Sequence, residues 1–221
     1  MHDSSAWKLQ PQHRITDEQY RRILKEAGKR SRRDWMLVFL SGNTGLRISE
    51  LLHLKVSDFD PASGIRVIRR KKKVLASEIL EVSDDIFEIV ASYVKEYGLK
   101  RDDWIFRGHG RPCVRVLKRR GKRTSETLCA GGHLIVRRAQ AIWDRVLRAT
   151  GLKMRGRGIH AMRHFNATSF YARTKDLRAT QVRLGHTSPT ITQIYADVVD
   201  GREQANRVGL LGVPPRSPKK K

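Results

Sequence analysis

One stretch constrains this chain more than any other: Ile159–Tyr195, IHAMRHFNATSFYARTKDLRATQVRLGHTSPTITQIY. It reads as three short helices cut at fixed points. His160, Arg163 and His164 fall within one helical turn, with Phe165, Ala167 and Phe170 as the apolar backing. Leu177 to Leu184 forms the second helix, and Gly185 breaks it and leaves His186 in the turn. Ser188-Pro189 supplies a cap and a first-turn proline for the third helix, which carries Tyr195 nine residues past His186. Polar, titratable residues thus gather near helix ends over a short span.

The rest of the chain builds a floor for that stretch. Thr16 and Gln19 form a capping-box pattern ahead of Tyr20, Ile23 and Leu24, and Gly28 is expected to end that helix. Ser31 caps a second helix through Trp35–Leu40, a block apolar on all sides and so expected to be buried. Gly42 and Asn43 should stop it, with Gly45 in a tight turn. Leu46, Leu51, Leu52 and Leu54 then anchor a short helix with Arg47 at its start and Glu50 one turn on.

Residues 65–82 predict a hairpin, Ile65–Ile68 out and Glu78–Val82 back, with Arg69, Arg70, Lys71, Lys72 and Lys73 at or near its tip. Asp84 and Asp85 open a helix to Tyr97. Trp104-Ile105-Phe106 is a short buried extended piece. Residues 107–132 read as a long basic loop that includes Arg119, Arg120, Lys122 and Arg123. Ile135, Ala139, Ile142 and Val146 mark one face of a helix from Leu134 to Thr150, and the following RGRG is expected to be flexible.

Charge narrows the partner. Lys and Arg number 46 against 22 Asp and Glu, a formal +24 on 221 residues. A polyanion is the natural partner, nucleic acid first; a merely solvated basic surface is the plainer reading. No apolar run approaches the roughly 20 residues that span a bilayer. Cys113 and Cys129 have no metal-ligand spacing, and no secretory leader pattern opens the chain. A reducing, cytoplasmic and nucleoid-associated setting is therefore the expectation.

These residue types suit phosphodiester chemistry. Two arginines, Arg47 and Arg163, can hold non-bridging oxygens through paired N–H donors. Tyr195 can attack phosphorus and become covalently linked to it. Its ordinary pKa near 10 calls for a base, and His160 is the candidate. A hairpin lysine can protonate the leaving 5′ oxygen, and His186 can donate to the phosphate. Glu50 can orient Arg47, and His164 reads as a packed or hydrogen-bonded core histidine. His160, His164 and His186 could also be metal ligands. However, position 161 is Ala where zinc proteases place Glu, and Arg163 would set positive charge beside the cation.

With these residues in view, the chain resembles the tyrosine recombinase (phage integrase) family. TGLRISELLHLKVSDFD resembles its first box, HAMRH its His-x-x-Arg box, and LGHTSPTITQIYA its last box. The likeness covers about residues 15–200. It implies a mainly α catalytic domain with a small antiparallel β-sheet, a 3′-phosphotyrosyl intermediate, and neither metal nor cofactor. It implies as catalytic set Arg47, His160, Arg163, His186 and Tyr195, with Lys71 chosen from the cation run and Glu50 and His164 in support. The expected partner is double-stranded DNA, held by a homo-tetramer on paired sites, with an accessory DNA-binding protein as a further expectation. Residues 1–14 are expected to be a flexible segment and 201–221 a C-terminal segment with a basic tail, with the family's N-terminal DNA-clamping domain absent. The alternatives are a non-cutting DNA-binding regulator of the same fold and a strand relaxer similar to type IB topoisomerases.

Overall fold

Capping chemistry sets the first elements of the computed structural model, which describes residues 14–71, 74–108, 113–119, 122–129, 132–186 and 188–208. Helix α1 (Asp17–Arg30) opens on the expected box: the Gln19 N–H donates to Thr16 Oγ1, and the Thr16 N–H donates to Gln19 Oε1, each at 3.2 Å. Gly28 does not end it. It lies inside the helix, where a Cβ would stand 3.2 Å from the Trp35 ring, so glycine there serves packing. Ser31 ends α1 and caps α2 (Arg32–Thr44), accepting from the Asp34 N–H at 3.0 Å.

Helix α2 buries Met36, Leu37, Val38 and Leu40 and runs straight through Gly42 and Asn43. Tyr20 explains why. Its ring fills the space a Cβ on Gly42 would need, and Asn43 Nδ2 donates to its hydroxyl at 3.0 Å. The true stop is Gly45, at φ 66, a left-handed turn that favours glycine. Helix α3 (Ile48–Leu52) follows.

The sheet is antiparallel, in the order β1 (Phe59–Asp60), β2 (Gly64–Lys71), β3 (Val74–Leu80). Pairing runs from Ile65↔Leu80 to Lys71↔Val74. Arg69 is thus a strand residue, not a tip residue. Alternation puts it on the side of Ile65 and Val67, which are buried, and opposite exposed Ile68. Helix α4 (Asp84–Glu96) packs Phe87 and Val90 inward. The stretch read as a loop contains a second antiparallel hairpin, β4 (Cys113–Arg119) with β5 (Lys122–Cys129). Its run of cations hides the strand alternation in the sequence.

Helix α5 (Val136–Ala149) buries Ala139, Ile142, Trp143, Val146 and Leu147. Ile135, expected on that face, precedes the first turn and is exposed. The RGRG segment is anchored where flexibility was expected: Arg157 is buried and donates to the Leu152 carbonyl at 2.9 Å and the Arg14 carbonyl at 3.2 Å. Trp143 Nε1 donates to the Arg157 carbonyl. This anchor fixes the entry to α6 (His160–Thr174). Helix α7 (Leu177–Leu184) is capped by Asp176 and ended by Gly185 at φ 63. Helix α8 (Pro189–Val208) carries Tyr195 and passes residue 200 without a break. The fold is mainly α with small antiparallel sheets, and one apolar core joins α1, α2, α5, β2 and the start of α6.

Candidate active site

Arg47 sits just ahead of α3, and Glu50 holds it twice. One carboxylate oxygen accepts the Arg47 backbone N–H at 2.9 Å and the other accepts Nη1 at 2.7 Å. The Glu50 side chain is buried while that of Arg47 is partly exposed. The acid is therefore fixed and aims a guanidinium that still reaches solvent.

Arg163 comes from α6 and is 7% exposed. Nη1 donates to the Gly45 carbonyl at 2.7 Å and Nη2 to the Leu184 carbonyl at 2.6 Å. One side chain thus ties the α2–α3 turn to the end of α7. Burial, then the neighbouring Arg47 charge, push its pKa down to about 10, so it remains a cation at neutral pH.

His186 follows Gly185. Its Nδ1 shares a 3.0 Å hydrogen bond with Thr192 Oγ1, and its ring stacks near the Tyr195 ring, 6.3 Å between centroids and 15° apart in plane. Burial first, then Arg163 and Arg47, push its pKa down to about 4. The imidazole is neutral at physiological pH.

Tyr195 is 2% exposed, packed with Ala167 and Leu184. Its hydroxyl lies 2.9 Å from His164 Nδ1. Burial pushes the phenol up to about 12, opposed by Arg163. Arg47, Glu50, Arg69, Arg163, His164, His186 and Tyr195 therefore form one electrostatically linked group. His160, expected to serve the phenol, is exposed at the start of α6. His164, read as a packed or hydrogen-bonded core histidine, is the one seen in hydrogen-bond contact with the hydroxyl.

Arg69 also departs from expectation. It is 2% exposed, so it is not a tip cation reaching for DNA. Nη2 donates to the Arg183 carbonyl at 2.8 Å, and Nη1 stands 3.5 Å from Glu78. Burial lowers its pKa, and Glu50 and Glu78 oppose that. A Cβ on Gly185 would lie 1.7 Å from Nη1, so Arg69 props the turn that carries His186. Arg183, absent from the sequence reading, donates to the carbonyls of Glu81 and Asn43 and to Asn166 Oδ1. No sequence signal separates Arg183 from other cations in so basic a chain; strand parity with Ile65 and Val67 does single out Arg69. The side chains of Arg70, Lys71, Lys72, Lys73, Arg119, Arg120, Lys122 and Arg123 lie outside the described residues.

A groove of about 750 Å³ opens beside this group, lined in part by Arg69, Glu78, Arg178, Arg183 and His186. Among the described residues, no three His, Cys, Asp or Glu side chains are placed to hold a metal ion. None of their helices is long and apolar enough to cross a membrane.

The phage integrase family model matches residues 13–202. Tyrosine recombinase XerA of Pyrococcus furiosus is 30% identical over 203 residues, covering 89% of this chain and 62% of that protein. Tyrosine recombinase XerD of Staphylococcus aureus is 29% identical over 170 residues, covering 75% of this chain and 50% of that protein. The chain thus spans between half and two thirds of these relatives' length. The crystal structure of XerA recombinase superposes with a TM-score of 0.64 at 22% identity, over 89% of this chain and 64% of that one. A lambda integrase dimer bound to a COC′ core site gives 0.60 at 20% identity, over 86% and 49%. At these identities the two structures speak for the fold.

Proposed function

Because this chain belongs to the phage integrase family, we propose that it is a tyrosine-type site-specific DNA recombinase that cuts and rejoins strands through a covalent 3′-phosphotyrosyl link at Tyr195. The observation that carries this reading is the meeting of Arg47, Arg163, His186 and Tyr195, drawn from separate segments, in one charge-coupled cluster.

The roles follow from charge and reach. Arg47 and Arg163 hold the non-bridging oxygens and take up the charge that grows on them in the transition state. Glu50 keeps Arg47 aimed. His186, neutral with Nδ1 engaged by Thr192, presents its other nitrogen to a phosphate oxygen. Tyr195 Oη attacks phosphorus, the 5′ oxygen leaves, and a cation of the β2–β3 hairpin, assigned to Lys71, protonates it. His160, exposed at the start of α6, is assigned to contact with the phosphate or the strand. The scheme requires neither metal nor cofactor. Rejoining is the same step reversed, with a 5′ hydroxyl of another strand as nucleophile.

Double-stranded DNA is the substrate, and four copies on paired sites are the working assembly. Support comes from structural neighbours described as XerH bound to a palindromic difH substrate and a lambda integrase tetramer bound to a Holliday junction. An accessory DNA-binding protein contributes to site choice, and the enzyme works at the nucleoid.

The test is a denaturing gel with nicked duplex DNA, labelled on the strand that Tyr195 would capture. Wild type should shift the label to protein mass, and Tyr195→Phe should bind the DNA yet shift nothing. An adduct that persists in Tyr195→Phe removes the nucleophile assignment. Relaxation of supercoils carrying no paired site favours the topoisomerase-like alternative.

A further inference from the structure

We propose that His164, not His160, is the base that takes the Tyr195 proton during attack and returns it during rejoining. This rests on the strand-cutting reading above and assigns one more group within the same site.

A general base must lie about 2.6–3.2 Å from the proton it abstracts, directly or through one water. His164 Nδ1 stands 2.9 Å from Tyr195 Oη, the two rings 5.8 Å apart and tilted by 42°. His160 and His164 are four apart on α6 and so share a face, but His160 is at the outer end and exposed. His164 is at the inner end, where Tyr195 is almost wholly shielded from water.

The neighbouring imidazole is otherwise occupied: His186 Nδ1 is engaged by Thr192, and its other nitrogen is assigned above to the phosphate. Among the described residues, the cations coupled to the group are Arg163 from α6, Arg47 before α3 and Arg69 from β2, and the anions Glu50 and Glu78 are turned to Arg47 and Arg69. Cations favour a departing proton and stabilise the oxygen it leaves.

The proton cannot move first. The buried phenol is pushed up to about 12, far above an ordinary imidazole near 6.5. Transfer becomes favourable only as the Oη lone pair goes to phosphorus and the oxygen loses its basicity. The step balances: the Oη–P bond forms, the P–O5′ bond breaks with its electron pair on O5′, and the phenol proton passes to His164 Nδ1. The hairpin cation supplies the proton on O5′. In reverse, the imidazolium at position 164 gives its proton back to Oη.

The experiment measures the rate of adduct formation on a nicked, labelled duplex library between pH 5 and 9. Wild type, His164→Asn and His160→Asn are compared, with DNA binding and thermal midpoint recorded for each. Asparagine at 164 can hydrogen-bond the phenol but cannot take its proton. The base must be unprotonated, so the wild-type rate should rise with pH through an imidazole-like pKa and then level. His164→Asn should lose that rise and slow attachment about 10²-fold or more, with binding kept. His160→Asn should keep the rise whatever its effect on rate. A pH rise retained in His164→Asn, or lost in His160→Asn, overturns the proposal. If His164→Asn does not fold, the His160→Asn profile alone decides. No Tyr195 adduct from wild type removes the strand-cutting reading and this assignment together, whereas a wild-type adduct with the wrong pH profiles removes this assignment alone.

Discussion

At the scale of single residues, His186 makes a stability prediction. Its pKa falls from about 6.5 unfolded to about 4 folded, chiefly through burial. Between those values the unfolded chain takes up a proton that the folded chain refuses. The contribution is thus fully present above about pH 6.5 and lost as pH falls through about 4. Wild type should lose thermal stability over this window more steeply than His186→Asn, whose amide can still meet Thr192. Equal slopes in scans at pH 7 and pH 4.5 count against the buried, neutral imidazole. The motif residues were legible because a phosphodiester demands particular side chains at particular spacings. The partnership of His164 with Tyr195 was not, because spacing along α6 cannot say which of two histidines on one face points inward.

Elements were legible where a local rule acts alone, as at the Thr16 box, Ser31 and Gly185. They were misread where distant packing chose the residue. Gly28 and Gly42 look like helix stops but are places where Trp35 and Tyr20 come close. The β2 strand outran its apolar pattern because the inward position after Val67 is a buried arginine, Arg69. Gly185→Ala tests that packing. Alanine at φ 63 pays for a left-handed backbone and also meets Arg69 Nη1. Gly151, at φ 69, has nothing within 4 Å of a Cβ and serves as the control. By urea unfolding, Gly151→Ala should cost about 1 kcal/mol. Gly185→Ala should cost about 2 kcal/mol or more, because the left-handed strain is joined by displacement of a buried side chain. Equal losses would place Arg69 elsewhere.

For the whole molecule, +24 is the governing quantity. Not every cation serves the same end: Arg69 and Arg157 are buried and spent on backbone carbonyls. The exposed remainder should make binding to random duplex DNA depend strongly on ionic strength. If six phosphates are neutralised, affinity should fall on the order of a thousandfold between 50 and 200 mM salt. Anisotropy titrations give the slope directly, and a flat dependence would discard charge as the source of affinity. The Arg69–Gly185 contact also orders how such a molecule can change by descent. Shortening residue 69 first opens room at 185, and a larger residue there then meets the left-handed strain alone. In the reverse order the lineage passes through a crowded intermediate with His186 displaced. Substitutions at the two positions should therefore be inherited as a pair, and in one sequence only.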